Sequence, residues 1–165
     1  MHELSLSTFH HAAAHGDVET LERIINLIAV GKRFERTRGD DEEVQNSDSV
    51  PQIDTKGKRG LNALLLACQN RQLEACKVLI AAGANVNAAN AFGMLPIHIA
   101  TLKGYVEVME LFLNEKSCLD LPIKGGLTPL HCACIGDDSK QSCSLNNFDK
   151  AQCVKLLISA GADIE

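Results

Sequence analysis

Branched apolar residues and alanines recur along this chain with a spacing of 33 residues. Leu64, Ile97 and Leu130 are separated by that step, and an alanine follows each of them three positions later. A constant step of this size is typical of stacked repeats, in which each unit buries its apolar face against its neighbours. The pattern therefore predicts a row of similar units and not one large hydrophobic core.

Within each unit the pattern predicts a helix, a turn, a second helix and an extended arm. In the last unit Thr128 can cap the first helix, and Pro129 suits the first helical position, where its missing N–H costs nothing. Residues 151–158 are mostly apolar and form the second predicted helix. It is closed by Gly161, which suits a left-handed C-terminal cap, so the predicted fold class is all-α.

Two departures from the step locate insertions. Phe9 precedes its equivalent Leu64 by 55 residues, 22 more than the period, and Asp120 precedes Glu165 by 45 residues, 12 more. Both insertions are polar, and insertions in a solenoid project from one face as loops. We predict a single domain over 1–165, with repeat 1 at about 5–30, a loop at about 31–52, repeat 2 at about 57–89, repeat 3 at about 90–122, and repeat 4 at about 123–165 with a loop at 137–149.

The composition narrows the class of protein. With 45% hydrophobic but only 4% aromatic residues, packing must rely on small and branched side chains. A formal charge of −5 disfavours a nucleic-acid partner, because neutralising phosphates needs an excess of Lys and Arg. No apolar run reaches the roughly 20 residues of a membrane span, and the first residues do not resemble a secretory signal. The seven unevenly spaced Cys then indicate reduced thiols in a cytoplasmic or nuclear protein without membrane association.

A sequence motif marks the start of the first helix of the repeat. Residues 128–131 read Thr-Pro-Leu-His, and 95–98 read Leu-Pro-Ile-His. The arms share a second pattern, Gly-Ala-Asn-Val-Asn at 83–87 and Gly-Ala-Asp-Ile-Glu at 161–165. Over most of its length the chain therefore resembles the ankyrin repeat family. The resemblance implies a solenoid of four stacked helix-turn-helix units with β-hairpin arms.

The same resemblance implies a function in protein recognition, with another protein or a peptide as partner, no enzymatic activity and no cofactor. In this family, ligands mostly dock on the arms and on the exposed side of the first helices. Carried over position by position, the implied partner-binding residues are Lys58, Arg59, Leu61, Gln69, Asn70, Phe92, Met94, Leu102, Lys103, Lys124, Leu127 and Ile135.

Apolar residues stand out within this implied surface. Leu61, Met94 and Leu127 are equivalent positions 33 residues apart, and a row of exposed apolar side chains indicates an interface. The alternative is that this row only packs each arm onto its helix. Phe92 is the expected anchor of a partner, since the chain has only five Phe.

A metal- or redox-responsive protein is the alternative function. His11 and His15 share a helical face, and His131, Cys132 and Cys134 lie close in sequence, with Cys143 and Cys153 further on. Structural zinc prefers CxxC-type spacing on loops, whereas these Cys fall inside a predicted helix. Cys68 and Cys134 occupy equivalent positions, so packing explains them better, and we predict no metal site.

Three further features carry expectations. Asn87 lies in a pattern resembling the targets of asparaginyl hydroxylases, although a structural role at a turn also explains it. Arg71 replaces the turn glycine found at Gly104. The predicted last helix has no polar capping repeat after it, which solenoids need, so we expect that further repeats continue this end or that a partner covers it.

Overall fold

The computed structural model describes residues 6–29, 53–115, 118–135 and 145–163. These residues form eight α-helices, one 3-10 turn and no β-strand. The helices are α1 (Leu6–His15), α2 (Val18–Ala29), α3 (Ala63–Gln69), α4 (Leu73–Ala81), α5 (Pro96–Lys103), α6 (Val106–Asn114), α7 (Pro129–Cys134) and α8 (Leu145–Ser159), and the 3-10 turn is Lys58–Gly60.

The first helices of the repeats start where local chemistry favours a start. Asn62 caps α3, since its side-chain oxygen accepts the N–H of Leu65 at 2.9 Å. Pro96 and Pro129 occupy the first positions of α5 and α7, where no backbone N–H is needed. The predicted cap and proline of the last repeat are therefore both in place.

The chain divides into two compact units, and each is described on its own. Unit 1 (Met1–Asn85) contains the helix pairs of repeats 1 and 2, in which α1 packs against α3 and α2 against α4. Alanines on α1 and α3 are fully buried and permit close helix approach. The large buried side chains of this unit are Phe9, Leu21, Ile24, Leu64, Leu65 and Leu79.

Unit 2 (Val86–Glu165) repeats that arrangement with the helix pairs of repeats 3 and 4. Helix α5 packs against α7, and α6 packs against α8. The predicted small-residue packing is present, since Ala100 and Ala133 are buried at equivalent positions. The large buried side chains here are Ile97, His98, Val108, Met109, Phe112 and Leu157.

The arms are tight turns that follow the 33-residue step. In each, one backbone N–H donates to the carbonyl four residues later: Gly57 to Leu61 at 2.7 Å, Asn90 to Met94 at 3.0 Å, and Ile123 to Leu127 at 2.9 Å. The residue before each closing residue is a glycine with φ between 69° and 80°. This is the left-handed region that glycine adopts without steric cost, so the arms have the turns of hairpins without regular strands.

A second ladder of hydrogen bonds links successive arms. The carboxylate of Asp54 accepts the N–H of Asn85 at 3.1 Å. Within unit 2, Asn87 accepts the N–H of Cys118 at 2.8 Å and Asp120 accepts that of Asp163 at 2.8 Å. The side-chain acceptor thus recurs in every described arm, which explains why the sequence keeps Asp or Asn at this position.

The beginning of α8 corrects the predicted loop of repeat 4. Residues 145–149 were expected in a loop ending at residue 149, but they belong to the helix. Lys150 explains the extension, because its side chain is 8% exposed and its ammonium donates to the carbonyl of Ile135 at 2.7 Å. A polar stretch thus packs where its composition suggested a loop. The expected loop at 31–52 lies outside the described residues, as do residues 136–144.

None of the described helices combines the length and the apolar character that crossing a membrane requires.

Candidate partner-binding surface

The arm of repeat 3 forms a tip whose backbone is held from several directions. The side-chain oxygen of Asn90 accepts two N–H groups, that of Phe92 at 2.9 Å and that of Met94 at 3.0 Å. The N–H of Gly93 donates to the carbonyl of Asn90 at 3.0 Å, in addition to the closing bond of the arm. A short polar side chain that bonds its own turn in this way fixes the conformation of the tip.

The neighbouring arm of unit 2 supports the same tip. The N–H of Lys124 donates to the carbonyl of Phe92 at 3.1 Å. Gly93 permits this approach, since a Cβ there would lie 3.2 Å from the backbone nitrogen of Lys124. The side chain of Phe92 is nevertheless 57% exposed. An aromatic ring is thus presented to solvent from a backbone that hydrogen bonds hold in place.

The row of equivalent apolar residues is half-buried. Leu61, Met94 and Leu127 are neither in the core nor fully exposed, and Leu102 has a similar exposure. Each therefore leaves part of its surface to solvent while it also packs against its own repeat. The site prediction for this row is not decided by exposure alone, because an interface and arm packing both fit it.

The remaining residues of the expected surface are exposed. Ile135, at the end of α7, is 40% exposed. Gln69 and Asn70 end α3, and the amide of Asn70 donates to the carbonyl of Leu66 at 2.9 Å. The basic members are Lys58 and Arg59 in unit 1 and Lys103 and Lys124 in unit 2, and all four are exposed.

Two exposed apolar residues escaped the sequence prediction. Leu121 is 49% exposed and Ile158 is 50% exposed. Leu121 could have been found, because it stands where the other arms have the smaller Thr55 and Ala88. Ile158 gave no such signal, since the branched residues at its equivalent positions in the other repeats are half-buried.

The motif histidines serve the fold. The Nε2 of His10 lies 3.1 Å from the carbonyl oxygen of Thr55, and the Nδ1 of His98 accepts the N–H of Leu95 at 3.3 Å. In repeat 4 the Nδ1 of His131 lies 2.8 Å from the hydroxyl of Thr128. Leu65 takes the histidine position of repeat 2 and is fully buried.

Burial lowers the pKa of both His10 and His98 below the ordinary value of 6.5. The carbonyl of Thr55 partly offsets this effect on the pKa of His10, and those of Leu121 and Leu127 do so for His98. The Nε2 of His98 makes no hydrogen bond of normal geometry to a described residue. Because the unfolded chain binds these protons more readily, their contribution to stability is complete above pH 6.5 and falls as the pH drops below it.

Most of the described cysteines pack in the interior. Burial raises the pKa of Cys76 to about 12 and that of Cys153 to about 11, and it also raises the pKa of Cys132. Such thiols stay protonated at neutral pH and are poor nucleophiles and metal ligands. Cys134 corrects the packing explanation, because it is exposed whereas its equivalent Cys68 is buried. Cys134 is the last residue of α7, while Cys68 lies one residue inside α3.

The candidate metal ligands do not converge among the described residues. The rings of His11 and His15 stack with centroids 3.9 Å apart, and the Nδ1 of His15 lies 2.9 Å from the carbonyl oxygen of His11. No group of three His, Cys, Asp or Glu side chains that could hold a metal occurs in the part of the chain that the structure describes. Cys143, one of the candidate ligands, lies outside it.

Asn87 is half-buried, and its side-chain oxygen belongs to the ladder between arms. This contact gives the residue a structural role at the turn. Its hydroxylation remains a prediction that the geometry does not require.

Comparisons with known proteins agree with the repeat geometry. Residues 9–122 and 64–165 match the family model of ankyrin repeats in three copies. Human NF-kappa-B inhibitor zeta is 27% identical over 139 residues, which are 72% of this chain and 19% of that protein. Human transient receptor potential cation channel subfamily A member 1 is 31% identical over 121 residues, 68% of this chain and 10% of the channel. The nipk-1 protein of Caenorhabditis elegans, which contains ANK repeats, is 26% identical over 157 residues, 93% of this chain and 24% of that protein.

The chain spans a quarter or less of the length of these curated relatives. The shared part is the repeat itself, and it agrees with the helix pairs, the 33-residue arms and the motif at Thr128–His131. The matched family model covers most of the described residues, and the chain belongs to the ankyrin repeat family.

Proposed function

We propose that this chain is a protein-recognition module that binds a protein or peptide through the arms and first helices of its repeats. The observation that carries the proposal is the tip of repeat 3, where Phe92 is 57% exposed on a backbone fixed by Asn90 and Lys124. Exposed aromatic anchors of this kind contribute strongly to protein interfaces. Because the backbone is already ordered, little conformational entropy is lost on binding.

The relatives support a protein partner. One of them is named as an inhibitor of NF-kappa-B, which is itself a protein. We extend only the class of partner to this chain. The geometry offers no arrangement of acid, base and nucleophile among the described residues, so we propose a binding function without catalysis.

A metal or redox function has less support from the described residues. Three buried cysteines have raised pKa values, and their thiols are protonated in the folded state. Stoichiometric zinc in the purified protein, measured by elemental analysis, would contradict the binding proposal in its present form.

The test compares one substitution in the tip with a matched one elsewhere. Phe92→Asp places a charge on the expected anchor, whereas Ile158→Asp changes an equally exposed apolar residue on a second helix, α8. Both variants should fold like the wild type, because both side chains face solvent. Affinity capture with quantitative mass spectrometry should show a set of proteins that is lost with Phe92→Asp and kept with Ile158→Asp. Equal retention by both variants would contradict the proposal.

A further inference from the structure

We propose that the surface around Phe92 and Lys124 binds an acidic segment of the partner, one that carries a large apolar side chain next to its carboxylates. This inference rests on the proposed function and specifies the chemistry of the partner. Its basis is the distribution of charge within each unit, which the total charge of −5 conceals.

In unit 2 the arms and first helices are poor in acid. Their described residues carry Lys103 and Lys124 and only one carboxylate, Asp120. The Oδ1 of Asp120 accepts the N–H of Asp163 at 2.8 Å, so this carboxylate is part of the ladder between arms. The other carboxylates of the unit belong to or flank the second helices, at Glu107, Glu110, Glu115, Asp149 and Asp163.

Unit 1 shows the same separation independently. The only described carboxylate on its arms and first helices is Asp54, whose two oxygens both lie 3.1 Å from the backbone nitrogen of Asn85. The tip of its arm carries Lys58 and Arg59 instead. A net negative chain thus places basic residues where the family docks its ligands, and the two units do so separately.

Lys124 is the cation best placed to act with Phe92. Its backbone N–H bonds the carbonyl of Phe92, and its Cγ lies 3.6 Å from the position a Cβ would take on Gly93. The Lys124 side chain is exposed and makes no ion pair with another described residue. An exposed ring and an ammonium group therefore originate from two hydrogen-bonded residues.

This pairing favours one kind of occupant. An apolar side chain can cover the exposed ring, and a flanking carboxylate can pair with the ammonium of Lys124. A basic segment would meet Lys103 and Lys124 with like charge, which is repulsive. Because charge contacts at the surface act over a Debye length of about 8 Å at physiological salt, Lys124 can attract an acidic segment despite the distant carboxylates of the second helices.

The experiment is a selection from a random displayed peptide library on the folded wild-type chain, followed by affinity measurement by fluorescence anisotropy. We expect enriched peptides to combine Asp or Glu with a Phe, Leu, Ile or Trp. Their binding should weaken about tenfold with Phe92→Ala and about five- to tenfold with Lys124→Glu. The matched control is Lys155→Glu, an exposed lysine on α8, which should change affinity less than about twofold.

The outcomes separate the two proposals. Peptides that depend on Phe92 but have neutral or basic flanks, and are indifferent to Lys124→Glu, would overturn the acidic partner and leave the recognition function standing. A selection that yields no peptide dependent on Phe92 would contradict both at this surface. An equal loss of affinity with Lys155→Glu would also overturn the inference, because the effect would then come from total charge.

Discussion

Repeat 2 and repeat 3 build their arm tips on the same backbone and give them different chemistry. In both, the N–H of the residue that opens the arm bonds the carbonyl four residues later. The exposed tip residues are Lys58 and Arg59 in repeat 2, and Ala91 and Phe92 in repeat 3. The repeat therefore fixes where a side chain is presented, while residues outside the consensus decide what is presented.

The residue that opens the arm shows why the two tips differ in support. Asn90 bonds two N–H groups of its own tip. Repeat 2 has Gly57 there, and a Cβ at this position would lie 2.9 Å from ring atoms of His10. The packing of His10 thus excludes an asparagine from repeat 2. The backbone also differs, since Arg59 has a φ of 59° while Phe92 is not among the residues with positive φ.

The largest expected effect comes from removing the close approach that supports the repeat 3 tip. Gly93→Ala should lower the free energy of unfolding by about 2–3 kcal/mol, because φ is +80° and the new Cβ would meet the backbone of Lys124. Gly83→Ala is the control, since its φ is +90° but nothing lies within 4 Å. It should cost only about 1–2 kcal/mol in urea unfolding. Equal losses would show that the contact between the arms of unit 2 contributes nothing.

A smaller effect is expected when the repeat 3 tip is given the opening residue of repeat 2. Asn90→Gly removes two hydrogen bonds and should lower the free energy of unfolding by about 1–2 kcal/mol. Asn90→Asp keeps an acceptor oxygen and should stay close to the wild type. Hydrogen exchange at the amides of Phe92 and Met94 gives a direct readout, since protection should fall only with glycine. Unchanged protection in Asn90→Gly would refute the role assigned to this side chain.

The smallest effect compares the turns between helices in the two repeats. Arg71 has a φ of 57°, whereas its equivalent Gly104 has a φ of 71°. Arg71→Gly should raise the free energy of unfolding by about 0.5–1 kcal/mol, because it relieves left-handed strain at some entropic cost. Arg71→Lys keeps both the charge and the strain and should change little. A thermal shift of the same sign and size for both variants would mean that strain is not the cause.

Much of the fold could be predicted from the sequence because the repeat constrains it locally. The prolines at 96 and 129 and the cap at Thr128 determine helix starts from residues close in the chain. The exposed Phe92 was also predictable, since it interrupts a chain poor in aromatic residues at a turn.

Features that depend on distant partners were missed. The helical state of residues 145–149 depends on Lys150 reaching the carbonyl of Ile135, which no local pattern shows. The exposure of Cys134 depends on where α7 ends, although Cys68 at the equivalent position is buried.

The sequence by itself determined the period, the family resemblance and the positions of the arms, because these follow from residue types repeated at a constant step. Only the tertiary structure decided which arm residues are exposed and how the tip of repeat 3 is held. Those properties arise from contacts between residues about 30 positions apart, such as Lys124 with Phe92 and Asn87 with Cys118. A linear pattern can repeat the residues of such a contact, but packing alone brings their atoms within hydrogen-bonding distance.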